Sequence, residues 1–346
     1  MTTQYWPPGC ATGIGSLPGT DPLEAARTVA GELPRLPHLP ELPARGVGAD
    51  LIGRTAALLV DLATEVVPSG YRITARPGRE HRRGVDLLRT DLDALDEALD
   101  ATRPAWVKVQ AAGPWTLTAG VELRTGHRVL TDRGARREFA ASLAEGLAGH
   151  VAEVATRTGA RVVVQLDEPS LPAVLAGSLP TPSGFGTVSA VPEPDAEALL
   201  RTVIEALPEP VIVHCCAPKA PIGLLRAAGA GALALDAGLL GSHTAALDAV
   251  GEAWDAGTPL LLGLVPSSLP AGRREPALRD LARPAYDLAD QIGFTRSRLA
   301  ELVVPTPTCG LAGATPDWAR RAMTLARDLG NAFVDPPESW ASPTPT

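Results

Sequence analysis

Four side chains of this sequence have the chemistry of a metal centre: His214 and Cys216 in VIVHCCAP, Asp236 in GALALDAG and Cys309 in PTPTCGL. On an extended strand residues i and i+2 point the same way, so His214 and Cys216 share a face and Cys215 looks away. Zinc accepts imidazole nitrogen, thiolate sulfur and carboxylate oxygen in a tetrahedral set, which makes these four a candidate ligand group. The competing expectation is a neutral buried histidine beside inert core cysteines, since cysteine is among the most buried residue types. Cys309, in Thr-Cys-Gly after the last apolar run, favours the metal. Cys10 precedes the first strand and falls outside the set. Other apolar runs end in Gly15-Ser16, in Gln110 to Gly113 and in Asp167-Glu168.

These groups meet only if the runs that carry them lie side by side. Short apolar runs alternate with longer helical ones: AWVKVQAAG, RVVVQLDEP, PVIVHCC, GALALDAG, TPLLLGLVP and ELVVPTPTCG read as strands. Between and after them, Arg136 to Thr158, PDAEALLRTVIEAL, PIGLLRAAG, HTAALDAVGEAWDAG, PALRDLARPAYDLADQI and TPDWARRAMTLARDLG read as helices. Near the N-terminus, Asp21 and Pro22 form a cap and N1 pair for DPLEAARTVAGEL, and a further helix is expected around DLIGRTAALLVDLATEV. Continuous apolar strands with helices between them imply a parallel sheet covered on both faces. Adding the GCATGIGS run and a poorly defined strand near residues 46 to 75 gives about eight βα units. The expected fold is therefore α/β, a single-domain (β/α)8 TIM barrel over residues 1–335 with an unstructured tail at 336–346; an open doubly wound sheet is the rival. In a barrel the active site lies at the C-terminal strand ends, where the polar residues above fall.

Composition removes other classes. With 346 residues the chain can bury a core without staples, so its four cysteines are free for chemistry. A formal charge of -8 and the lack of a basic run argue against nucleic acid as partner. No run approaches the roughly 18 apolar residues of a membrane span, and MTTQYWPPGCATG has no signal-peptide pattern, so a cytoplasmic protein is expected. In that reducing compartment a structural disulfide is not expected.

Taken together, TGIGSLPGT, QAAGPWTL, VVVQLDEPSL, VIVHCCAP and PTPTCGL, in this order and at these separations, resemble the catalytic C-terminal barrel of cobalamin-independent methionine synthase. That family belongs to the superfamily that also holds uroporphyrinogen decarboxylase. The resemblance covers about residues 9 to 330 and corresponds to a short, single-barrel form. It implies that His214, Cys216 and Cys309 are zinc ligands, with Asp236 where the family usually has glutamate. It further implies that Ile14, Gly15 and Ser16 hold the amino-acid end of homocysteine and that Asp167 pairs with its ammonium. For Gly13 to Ser16 an ordinary strand-to-helix turn, and for Asp167 a cap or surface ion pair, are the plainer alternatives.

The sequence departs from the family at three places. Val265 stands where a proton-donating histidine is found, Ala173 where a glutamate helps hold the folate, and no tryptophan follows GPWTL near Gly120. His243, at the start of a helix, reads as a cap or surface residue, so no proton donor is assigned. The implied function is zinc-dependent methyl transfer to the thiol of homocysteine, from methyl-folate or from a methyl-corrinoid, a corrinoid protein being one such donor. Two alternatives stand beside it. One is a metal-free decarboxylase-type barrel, with Arg45, Arg54 and Arg72 clamping carboxylates. The other is a non-catalytic zinc- or thiol-binding barrel.

Overall fold

The computed structural model describes residues 5–208, 210–241, 244–270, 272–336 and 340. Most of the expected tail, and His243, lie outside them. Nine strands are found among the described residues: β1 (Ala63–Val67), β2 (Gly70–Thr74), β3 (Trp106–Ala112), β4 (Val121–Glu122), β5 (Arg161–Asp167), β6 (Val211–Cys215), β7 (Ala232–Asp236), β8 (Leu260–Val265) and β9 (Val303–Pro307). Six of them form one sheet in the order β3-β5-β6-β7-β8-β9, parallel throughout. Their Val, Leu and Ala side chains are buried on both faces, as the uninterrupted apolar runs require.

Alternate residues of these strands enter different cores. Trp106, Val163, Ile212, Ala232, Ala234, Leu261 and Val304 pack together with Trp6, Cys10 and Leu36 inside the curl of the sheet. Their neighbours Val107, Val162, Val213, Leu233, Leu260 and Val303 face the surrounding helices. Trp106 on one edge strand and Val304 on the other share the inner cluster, so the sheet bends round on itself.

Of the roughly eight βα units expected, six supply regular strands to this sheet. Between the edges lie two extended segments joined by isolated bridges. Thr12 N donates to Pro305 O at 3.3 Å, Glu41 N to Gly15 O at 3.1 Å, and Leu39 N to Lys108 O at 2.9 Å. Ser16 bridges Glu41 and His38 bridges Lys108, both in parallel. The physical cause is composition: Pro37 and Pro40 have no N–H to give a ladder, and Gly13 and Gly15 have no side chain to pack on a sheet face. The strand expected near residues 46 to 75 is corrected. Residues 63–74 form the antiparallel hairpin β1-β2, which with β4 makes a separate three-stranded sheet. The helix expected over DLIGRTAALLVDLATEV is only Leu51–Ala56, because the β-branched residues flanking Pro68-Ser69-Gly70 take the hairpin. A helix over Arg79–Leu99 was not anticipated.

Elsewhere the local signals hold. Asp21 caps Pro22–Glu32 by accepting from Leu23 N and Glu24 N. The long helix is Arg133–Thr158, capped by Asp132 and ended by Gly159 in the left-handed conformation. Register aligns the strand ends in one tier: Ala112 opposite Asp167, Asp167 opposite His214, Asp236 opposite Gly263, and Gly263 opposite Thr306.

Candidate active site

The parallel register of β5 and β6 sets Asp167 beside His214, both on the inward face. Asp167 Oδ1 lies 2.7 Å from His214 Nδ1, and the same oxygen accepts from Gln165 Nε2 at 2.7 Å. A carboxylate oxygen only accepts, so Nδ1 carries the ring proton and Nε2 presents a lone pair. That Nε2 is buried and has no hydrogen-bond partner. Cys216 follows the end of β6 and Cys309 follows the end of β9, and their sulfurs are 3.5 Å apart. The contact with Cys216 lowers the pKa of Cys309 against the opposing effect of burial. The same contact, with burial, raises Cys216. Cys215 faces the outer core, and burial raises it to about 11.

Asp236 ends β7 in the same tier, but its carboxylate accepts from Gly238 N at 2.8 Å and caps the short turn Ala237–Leu239. Burial raises its pKa. It also borders, with Cys215 and Lys219, a cleft of about 520 Å³ on the outer side of β6 and β7. Among the described residues no group of three or more His, Cys, Asp and Glu side chains is gathered closely enough to hold a metal ion. The pieces that fit one are the bare His214 Nε2 and the two adjoining sulfurs: the donor types suit zinc, and a histidine whose other nitrogen donates to a carboxylate is the usual second-layer arrangement.

The segment 14–16 is held from several sides. Ile14 O accepts from Lys108 Nζ at 2.9 Å and from Gln165 Nε2 at 2.9 Å. Ser16 bridges Glu41, and its carbonyl accepts from Leu311 N at 2.8 Å. Glycine is required where these pieces cross. A Cβ on Gly15 would stand 2.9 Å from Gln110 Cγ, and one on Gly310 would stand 2.1 Å from Ser16 Oγ. The segment from Gly310, next to Cys309, therefore packs directly on Ser16.

Four buried polar residues of this interior were given no role in the expected site, Glu41, Lys108, Gln110 and Gln165, although Gln110 marks the end of its apolar run. The signal for three of them is in the sequence. Lys108 and Gln110 in WVKVQAA, and Gln165 and Asp167 in VVVQLD, are polar residues two apart in otherwise apolar strands, which aims each pair to one side. Lys108 is fully buried, and burial pulls its pKa down to about 8 against the opposite pull of Asp167 and Glu41. Burial raises Glu41 to about 7, with Arg54 opposing and Asp167 adding to the rise. Glu168, the neighbour of Asp167, turns the other way. It accepts from Trp115 N at 2.9 Å and from Thr116 N and Oγ1 at 2.8 Å, fixing the start of the helix Pro114–Gly120.

The three arginines considered as carboxylate clamps are already paired. Arg45 and Arg54 both contact Asp91, and Arg72 contacts Glu122 at 3.0 Å. Val265 is buried at the end of β8, and Ala173 lies in the short helix Leu171–Ala176.

The sequence model of the family described as Cobalamin-independent synthase, Catalytic domain, matches residues 10–332. No curated protein matches the chain. Among solved structures, a B12-independent methionine synthase from Shewanella sp. W3-18-1, in complex with selenomethionine, superposes with a TM-score of 0.60 at 13% identity, over 94% of this chain and 98% of that one. That likeness is one of fold. A GH113 β-mannanase from Alicyclobacillus acidocaldarius in complex with ManMIm covers 96% of this chain and 99% of its own at 13% identity, but its TM-score of 0.45 carries no argument. Among the described residues no helix is long and apolar enough to cross a membrane.

Proposed function

The chain belongs to the family of the cobalamin-independent methionine synthase catalytic domain, and from that premise we propose that it transfers a methyl group to the thiol of homocysteine, giving methionine. The observation that carries this reading is the pair of sulfurs, Cys216 and Cys309, 3.5 Å apart just past the ends of β6 and β9, with the buried, bare Nε2 of His214 two residues before Cys216. The six strands and two bridged segments are read as a (β/α)8 barrel in which the first two strands are reduced to single contacts. His214, Cys216 and Cys309 would hold zinc, with Asp236 as a fourth ligand that would exchange Gly238 N–H for the ion. Zinc, when bound, supplies the positive charge that keeps a substrate sulfur as thiolate near neutral pH.

The chain's own residues then have two tasks. Asp167 gives one oxygen to His214 and Gln165, which leaves Oδ2 for the substrate ammonium. Ile14, Gly15 and Ser16 position the amino-acid end so that the sulfur lines up with the donor methyl group, an alignment task worth several orders of magnitude in rate. In the transfer the sulfur–carbon bond forms, the donor's bond to the methyl breaks, and the thiol proton is lost.

The donor follows from what is missing at the strand ends. An N5-methyl pterin leaves well only when protonated, and Val265 supplies no proton. A methyl-corrinoid has no such need, so it is the proposed donor. The decarboxylase alternative loses its anion clamps, because Arg45, Arg54 and Arg72 are neutralised by Asp91 and Glu122. The test is methionine formation from homocysteine by the zinc-supplied protein, with methylcobalamin and methyl-folate in parallel. Turnover with methylcobalamin at least equal to that with methyl-folate is expected. Turnover with methyl-folate alone would overturn the donor, and turnover with neither would overturn the reaction.

A further inference from the structure

Lys108 sits at 0% exposure in the middle of β3, and no carboxylate contacts its ammonium among the described residues. Its donors go to three carbonyl oxygens: Gln165 Oε1 at 2.8 Å, Ile14 O at 2.9 Å and Gln110 Oε1 at 3.2 Å. Burying an ammonium is costly, and a methionine would fill similar volume without that cost, so the charge is to be judged by what it orients. Ammonium only donates, so the oxygen of the Gln165 amide must face it, and the amide NH2 must face the other way. That NH2 reaches Asp167 Oδ1 at 2.7 Å and Ile14 O at 2.9 Å. The flipped amide would set NH2 against an ammonium and oxygen against both a carboxylate and a carbonyl. Asp167 Oδ1, thus held, accepts from His214 Nδ1, and Nε2 is left bare.

We infer that Lys108 is a positioning residue that fixes the Gln165 amide and through it holds the Asp167 oxygen against His214, while anchoring the Ile14 carbonyl. One buried charge then ties the segment proposed to hold the amino acid to the histidine proposed to hold the metal. The roles of those two ends rest on the function proposed above; the direction of the hydrogen bonds does not.

The test therefore begins with zinc-free protein. Nitrogen-15 NMR of the His214 ring, assigned by loss of its signals in His214→Gln, is expected to show one tautomer, protonated at Nδ1. Lys108→Met frees the Gln165 amide to turn its oxygen toward Asp167, which repels Oδ1 from its place at Nδ1, and mixed tautomers are expected. Zinc affinity, measured by chelator competition, is expected to fall about tenfold in Lys108→Met and in Gln165→Leu, as for loss of an outer partner of a metal ligand. The double variant should be no weaker than the worse single one, because both act on one path. A folded Lys108→Met with the wild-type tautomer and wild-type zinc affinity would overturn the inference. Should circular dichroism show Lys108→Met unfolded, Gln165→Glu decides: its carboxylate still accepts from Lys108, now as an ion pair, but it removes the donor to Asp167. It is expected to show the same two losses, and wild-type behaviour would overturn the inference. Wild-type protein that binds no zinc would defeat the proposed function, while the tautomer measurement would still decide the role of Lys108.

Discussion

At the scale of single residues the centre depends on polarity and sulfur spacing. Cys309→Ser keeps the shape of the side chain but replaces one of the two paired sulfurs by a hydroxyl that stays protonated. Zinc retention and methyl transfer should both drop by more than about a hundredfold, beyond the cost of losing an outer partner, with the circular dichroism spectrum unchanged. Elemental analysis and a turnover assay check this, and full zinc content in the variant would contradict it. Asp167→Asn is a milder lesion, since an amide can turn its NH2 toward Nδ1 and favour the wrong tautomer. A loss of about 10–100-fold in zinc affinity is expected, read by the same chelator competition.

At the scale of elements, the loops that follow the strands are held by buried acceptors. Glu168 takes three donors from Trp115 and Thr116, and Glu168→Ala would leave them buried without partners. A loss on the order of 1–3 kcal/mol of stability per stranded group is expected from urea unfolding, so the variant should be strongly destabilised. An unfolding midpoint within error of wild type would contradict this account of the β5-to-helix connection. The six full strands were legible because each is a short apolar run bounded by Pro or Gly, and their polar ends named His214, Cys216 and Asp167. The first two pieces of the ring were not legible as strands. PRLPHLPEL repeats Pro and Leu at every third residue and so carries no period of two, and its pairing with β3 rests on Pro37, His38 and Leu39 around Lys108. The hairpin at 63–74 was hidden for another reason: the apolar run before it continues a helical spacing, and only its neighbours in space decide between the two. Lys108 and Gln165 were visible as polar interruptions of apolar strands. Their mutual contact was not, since sequence gives the face but not the pairing register.

At the scale of the whole molecule, one buried histidine gives a pH signature independent of the site. His150, in the long helix Arg133–Thr158, is 5% exposed, and burial first, then the charge of Arg54, lowers its pKa to about 4. The unfolded chain takes up that proton near pH 6.5 and the folded chain only near 4. Its contribution is therefore complete above pH 6.5 and is lost as pH falls toward 4, by an amount on the order of 3 kcal/mol. Urea unfolding at pH 7.5, 6 and 5 should show this slope in the wild type and a shallower one in His150→Leu. Equal slopes would contradict it.

The central proposal is that His214 Nε2 and the sulfurs of Cys216 and Cys309, carried by β6 and by the segments after β6 and β9, close round zinc for a thiol substrate. X-ray absorption at the zinc edge of protein loaded with one equivalent of zinc tests it most directly, recorded before and after adding homocysteine. The account predicts a first shell with two sulfurs and one imidazole nitrogen that gains a third sulfur when the thiol is added. A shell of oxygen and nitrogen only, or one that ignores homocysteine, would contradict it.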